Sequence, residues 1–596
     1  LGEGVHLPPP IFQPRAPRHN AAATTPHPAR LLPGGRGEDR VSATGITAEK
    51  TSEAHAALGG LAAFLMGCAI TSAIFGWHIL SPWHTGWMLS GRIGPDPVQY
   101  WLGYTFFARS PWSWPPGLNP DYGLEIASSI YYADAIPLLA FAFKALHPIL
   151  EVPQYWGLWL YACGGLQAWL AWRLLGLATD HPLPRLLGAA LLVLQPMLLG
   201  RLGGHFALGG QFLQLAALLL YLTPVAGARR IAAWCALLVA ASLIHAYLLP
   251  MTAGFWAADW LARATNPTRR AALIAEALLA PALTLLALWA AGAFMLHGGF
   301  GGSWGGFGRM QLDLLAPFDA EEWGGLLANL PDPGHLEVGN SYLGLGSLLL
   351  LLAGAIAWTR RPRPFLRRHW PLLLMLAFTL ALAITHRVAI GGREYTLFTL
   401  PEPIQRYADA LRASERFFWP VAYTLLVAAA LALIRGFGPR RASLVLAAAL
   451  AIQVVDLRPG LARLRDFFVP MPATLPLRLS DPFWAEAARR YDRIRIVPAA
   501  NQAPWWEEVA VFAATAGLAT DAVYLARLAP QPVAALNARM AEILATGRFE
   551  PRTLYVLADD GAIALARASA DPARDLIGSF NHLTVLAPGW RLWERE

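Results

Sequence analysis

The stretch GPDPVQYW, Gly94 to Trp101, sets a carboxylate between two prolines. Pro95 and Pro97 each lock a backbone angle and limit the residue before them, so Asp96 is held on a restricted chain. Two uses fit such a group. It can take a proton from an attacking hydroxyl as a general base, or it can cap a helix that begins at Pro97, since Asp followed by Pro is a strong helix start. Farther along, LRASERFFWP (411 to 420) sets Arg412 and Arg416 one helical turn apart, so both guanidinium forks can face one phosphate. Anchoring to lipid headgroups ahead of an apolar run is the alternative for this pair. RLGGHFALGGQF repeats the spacing with Arg201 and His205, beside glycines that permit close approach of a ligand or a helix. Phosphate binding and a satisfied polar pair between packed helices are both open there. His245, in HAYLLP, reads most simply as a hydrogen-bonded helix-end residue.

Further carboxylates crowd the same region, from Gly94 to Leu138. If 121 to 125 were helical, Asp121 and Glu125 would share a face as like charges, an arrangement that calls for a cation or water between them. A divalent metal such as magnesium or manganese is one candidate, with Asp134 as a third acid. Asp134 lies a few residues inside YYADAIPLLAFAF, where an ionised side chain at full membrane depth costs roughly 2.5–3.5 kcal/mol, so it should face a polar cavity or a cation. Glu337, Asn340 and Tyr342 can line an acceptor entrance or be ordinary loop and helix-start residues. The glycines of HGGFGGSWGGFG (297 to 308) lack the strand and helix of a nucleotide loop and read as a mobile lid. Cys68, Cys163 and Cys235 fall in or beside apolar runs and read as small packing residues.

The elements that position these groups are membrane helices. Of 596 residues, 56% are hydrophobic and 14% charged, with 24 tryptophans, a balance that excludes a water-soluble enzyme. Apolar runs of about 20 residues, the length that crosses ~30 Å of hydrocarbon at ~1.5 Å per residue, recur near 61–80, 130–147, 155–177, 185–200, 206–223, 231–246, 247–262, 271–296, 341–358, 370–386, 417–434 and 441–457. Arginine-rich loops stay inside. TRRPRPFLRRH (359 to 369) is one such loop, whereas the acidic stretch from His297 to Asn340 belongs outside. That bias predicts a cytoplasmic amino terminus, an external carboxyl-terminal region and about 11 crossings, so one of the twelve runs does not cross. The broken segments between 185 and 262, with QP at 195–196, are the candidates for a re-entrant or fused pair lining a cavity.

The expected organisation is a disordered segment 1–55, a transmembrane domain 56–460 with external loops 81–129 and 297–340, and an extracytoplasmic α/β domain 465–596. In the last, IRIV (494–497), VYLA (523–526), TLYVLA (553–558) and LTVLA (583–587) read as strands, with helices over 507–518 and 533–547. It carries no catalytic motif. The net charge of +8 reflects inside loops, and nothing resembles a nucleic-acid module.

An early acid just after the first span, further acids before the second, about eleven crossings and an external tail together resemble the GT-C membrane glycosyltransferases. More narrowly, GPDPVQYW, WPPGLNPDYGLE, YADAIPLL, YLGLG (342 to 346) and LRASERFFWP are similar to a bacterial branch of that superfamily catalogued as a domain of unknown function, over about residues 60 to 460. The resemblance implies a mainly α, multi-pass protein of the bacterial cytoplasmic (inner) membrane. It would transfer a hexosyl or pentosyl group from a polyprenyl-phosphate-linked donor to a glycan, lipid or protein acceptor on the outer side, with inversion. Asp96 falls at the position of the superfamily's early acid and would be the base. Arg412, Arg416, Arg201 and His205 would hold the donor phosphate, with membrane lipids as the surroundings. Two readings of other classes stand beside it: a transporter or flippase of lipid-linked substrates, and a non-catalytic scaffold for envelope assembly whose external domain binds a partner.

Overall fold

The computed structural model describes residues 38–225, 227–265, 270–296, 306–330, 340–360 and 368–593, with side chains from 57 onward. The described residues 38–57 belong to one compact unit and residues from 58 onward to another. In the first, the chain is helical from Glu38, in the helix Glu38–Phe75. The expectation of disorder up to residue 55 is therefore corrected over 38–55, and residues 1–37 lie outside the described residues.

The second unit is mainly helical. Every apolar run read from the sequence holds a helix, and many start on a proline at the first or second position, among them Pro97, Pro137, Pro182, Pro371, Pro420 and Pro439. Proline costs nothing there because the first amides of a helix have no partner to lose. By length and composition, three helices can cross a membrane: Ala57–Phe75, Arg270–Ala290 and Ser414–Phe437. Two bent pairs raise the number to five, Pro182–Val193 with Pro196–Leu202 at 55° and Pro439–Asp456 with Arg458–Phe468 at 57°. The first bend falls at the QP step. Pro196 cannot donate, and Gln195 fills the break by donating to the Leu191 carbonyl and to Ser347 Oγ at 2.7 and 2.9 Å. Shorter apolar helices are Pro137–Leu146, Phe206–Leu222, Leu345–Arg360 and Trp370–Ile384.

Between Ile384 and Glu402 the chain forms an antiparallel hairpin of β1 (Arg387–Ile390) and β2 (Arg393–Thr396), which sequence patterning does not reveal. Its turn is held by Asp313, which accepts from the amides of Gly391 and Gly392.

The carboxyl-terminal part is a five-stranded mixed sheet of β3 (Arg493–Val497), β4 (Ala519–Thr520), β5 (Thr553–Leu557), β6 (Leu576–Phe580) and β7 (Leu583–Ala587), in the order β4-β3-β5-β7-β6. β3 pairs parallel to β4 and β5, and β7 antiparallel to β5 and β6. Helices Trp506–Ala516 and Pro530–Thr546 make the crossovers that parallel strands require. VYLA is not a strand: only Val523 forms an isolated bridge, to Asn501.

Among the described residues there are two large hydrophobic cores and a small cluster of Cys235, Leu238 and Ala280, and one helix belongs to both large cores. Asp96–Arg109 sends Tyr100, Tyr104 and Phe107 into the core of the helical part and Val98, Leu102 and Phe106 into the core of the sheet domain. Tyr122 and Ile126 of the following loop join the latter. The same loop extends the sheet, since the amides of Gly123 and Thr520 bond to the carbonyls of Thr520 and Asp121 at 2.7 and 2.9 Å.

Candidate functional site

Where the two parts meet, a cavity of about 1060 Å³ opens, and Asp96, Asp134, His205, Arg412 and Arg416 all line it. Its floor and walls come from the helical part. Its roof comes from residues 500–502 and the segment 524–528 of the sheet domain.

Asp96 is the first residue of its helix, but the cap is Pro95 and the carboxylate makes no capping bond. The capping alternative is thereby corrected: the side chain turns away from its own amides. Asp96 Oδ2 lies 2.9 Å from His205 Nδ1, and Tyr524 lines the same cavity. Burial pushes the Asp96 carboxyl up, but the charge and contact of His205, the nearby Tyr524 hydroxyl and the Arg416 charge outweigh it and hold the group below the usual carboxylate range. An ionised, anchored carboxylate opening on a cavity is the state a general base requires.

Asp134 does not lie inside a helix. The run read over 130–147 is helical only from Pro137, and Asp134 sits in the preceding turn with φ 52°, followed by Ile136 at φ 51°. Non-glycine residues rarely hold this left-handed conformation, and here it aims the carboxylate at the cavity. The turn is pressed against Gly103, where a Cβ would stand 2.4 Å from that of Ala133. His245 Nδ1 accepts from the Tyr247 amide at 3.1 Å, which leaves the proton on Nε2, 4.0 Å from Asp134 Oδ1. Burial, and then the Asp96 charge, push the Asp134 carboxyl up to about 7 against the pull of Arg416, Arg527 and Arg412. Two acids in one cavity are thus driven apart in proton affinity.

The helical spacing expected of Arg412 and Arg416 is not what the chain adopts. Arg412 follows the turn Asp409–Leu411, the chain kinks at Ala413, and a second tight turn runs from Ser414 to Phe418. Both guanidinium groups reach the cavity nonetheless. The kink is fixed by the Tyr247 hydroxyl, which accepts from the Ala413 amide at 2.9 Å, while the Arg416 guanidinium lies 5.0 Å over the Tyr247 ring. Arg416 is buried and its Nε has no hydrogen-bond partner among the described atoms. Arg201 is also buried with an unpartnered Nε, but it does not line the cavity, and His205 is committed to Asp96.

Asp121, Glu125 and Asp134 do not assemble. Gly123, at φ 111°, prevents a continuous helix over 121–125. Asp121 accepts from Ser110 Oγ, and Glu125 is gripped at both oxygens by Arg495. Among the described residues no group of three or more His, Cys, Asp or Glu is arranged to hold a metal, so these side chains do not fit the divalent ion considered from the sequence. The acceptor-entrance reading is corrected as well. Tyr342 is 1% exposed and donates to Asp456 Oδ2 at 2.6 Å, and Asn340 accepts from Trp323 Nε1 at 3.3 Å beneath Gly200. Glu337 and most of the glycine-rich lid lie outside the described residues.

Sequence reasoning missed Tyr524 and Arg527. Both belong to VYLARL, whose apolar alternation resembles a strand and whose distance from Asp96 in the chain hides the contact. The segment is instead a strap across the cavity: Asn501 brackets the Leu525 backbone from both sides, the Ala526 amide bonds to the Tyr132 carbonyl at 2.8 Å, and Tyr122 holds Tyr524.

A mainly helical chain with several helices long and apolar enough to span a membrane, carrying a basic cavity roofed by a small mixed-sheet domain, is the class these features define. The chain belongs to the family described as Domain of unknown function (DUF6311), which it matches over residues 64–458, and residues 483–588 match the DUF6311 C-terminal domain. No curated protein matches it.

Proposed function

We propose that this protein is an inverting GT-C-type membrane glycosyltransferase, moving a hexosyl or pentosyl group from a polyprenyl-phosphate-linked donor to an acceptor hydroxyl on the extracytoplasmic side. The observation that carries this reading is the convergence of Asp96 with Arg412 and Arg416 on one cavity. Asp96 removes the acceptor proton as that oxygen forms its bond to the anomeric carbon, and the phosphate leaves with the electron pair of the broken bond. The leaving group needs positive charge more than a proton, and guanidinium forks supply it. About 11 crossings, a cytoplasmic amino terminus and residence in a bacterial inner membrane complete the proposal, supported by the arginine bias of the loops. Glycan, lipid and protein acceptors all fit. The transporter alternative draws support from the bent pair at Gln195, but a cavity roofed by a stitched strap favours a reaction chamber over a path.

Asp96→Asn keeps shape and removes basicity. In liposomes supplied with a panel of polyprenyl-phosphate sugars, turnover should fall by ~10²- to 10⁴-fold with donor binding retained. Unchanged turnover would remove Asp96 as the base, and a flux that depends on the bent segment instead would favour transport.

A further inference from the structure

The strap's second polar residue is not used by the reading above. Arg527 lines the cavity with Arg412 and Arg416, and its only described hydrogen bond is a long one, 3.5 Å, to the Ala410 carbonyl. None of these three guanidinium groups has a carboxylate within ion-pair distance among the described residues. Burial and the nearby Arg412 charge push the Arg527 guanidinium down, as expected for like charges gathered without a counterion.

The charge count bears on the ligand. Three guanidinium groups face the cavity, and below about pH 7 Asp134 keeps its proton. Whichever partner of the Asp96 and His205 pair holds a proton, at least two positive charges remain unmatched. A phosphodiester carries one negative charge and a diphosphate diester two. The third guanidinium also comes from a different domain than the other two, so the positive region extends from the 412–416 turn toward the roof.

Resting on the transferase reading, we propose that the donor is diphosphate-linked, with one phosphate held by Arg412 and Arg416 and the other by Arg527 of the carboxyl-terminal strap. The sheet domain then completes the substrate site itself.

Calorimetry on the full chain in detergent micelles at pH 6.5, with dimethyl phosphate and the symmetrical dimethyl diphosphate ester as probes, tests this. Neither probe changes protonation there. The wild type should prefer the diphosphate by about tenfold or more, the scale of one added charge-assisted contact. Arg527→Gln should erase the preference and spare the monophosphate affinity, whereas Arg412→Gln with Arg416→Gln should weaken both probes. No preference in the wild type, or a preference that survives Arg527→Gln, overturns the proposal while the arginine-pair effect keeps the transferase reading standing. Binding indifferent to all three arginines overturns both. Should Arg527→Gln melt early, Arg527→Met, which keeps the apolar stem and removes the charge, decides: a reduced preference supports the assignment, and an unaltered one refutes it.

Discussion

Asp134 shows how one side chain can set the working pH of the cavity. Its carboxyl is raised to about 7 by burial and by Asp96, so it is an acid on one side of neutrality and an anion on the other. The groups facing it are Asp96, His245, Arg412, Arg416 and Arg527. Because its folded value lies above the usual 3.8, the stability it contributes is fully present below about pH 4 and is lost as pH rises through 7. An anionic ligand disfavours the ionised form further, so affinity for a non-titrating phosphodiester should fall between pH 6 and pH 8, by about tenfold for each unit the ligand raises the group. Asp134→Asn should flatten that dependence; a slope that persists in the variant would assign it elsewhere. Residue types alone made Asp96, Arg412 and Arg416 legible, since a proline-locked acid and paired arginines are unusual beside apolar runs. They did not reveal the His245 contact, because it depends on a left-handed turn that no local pattern near YYADAIPLL announces.

Among the elements, the helix Asp96–Arg109 does most to place the site. Its two apolar stripes are each a helical repeat, and each meets a different core, so the helix cannot rotate without exposing one of them. Phe106 is fully buried in the sheet-domain core, stacked on Tyr122 at 5.1 Å, with the Arg109 guanidinium 4.3 Å over its ring. Arg109 then donates to the carbonyls of Ala514 and Leu518, tying the far end of the helix to the sheet domain. Phe106→Ala should cost about 3–5 kcal/mol, lowering the melting temperature in detergent and weakening phosphodiester binding together. A melting shift with unchanged affinity would show that this helix holds the fold but not the site. Apolar runs and proline starts made the helices legible, and alternation found three of the seven strands, β3, β5 and β7. The hairpin at 387–396 escaped because β2 is wholly exposed and β1 buries only Ala389, and the strands Ala519–Thr520 and Leu576–Phe580 escaped because the first has two residues and the second is interrupted by Gly578 and Ser579.

At the scale of the whole molecule, the sheet domain reads from the sequence as an appendage, yet a charge cluster around the buried Arg495 also joins it to the helical part. Arg495 is fully buried and donates to Glu550 at 2.8 Å, to Asp521 at 3.1 Å and to both oxygens of Glu125 at 2.9 Å. Glu125 alone of these acids comes from the loop after helix Asp96–Arg109, and Asp521 precedes the strap that carries Tyr524 and Arg527. Composition could flag Glu125 as an acid in a crowded loop, but its partner lies 370 positions away. Glu125→Gln keeps the size of the side chain and leaves Arg495 bound to Asp521 and Glu550, so the sheet domain itself should stay folded. What should loosen is the docking of strap and loop: the amides of Thr520 and Ala526, bonded across that junction to Asp121 and Tyr132, should exchange with solvent faster, and diphosphate affinity should drop more than monophosphate affinity. Asp492→Asn, which breaks the exposed pair with Arg552 on the same domain, serves as the control, since surface pairs contribute ~0–1 kcal/mol and should move neither readout. Equal exchange rates in Glu125→Gln and wild type would mean that apolar packing alone seats the roof, and that the ionic cluster serves only the interior of the sheet domain.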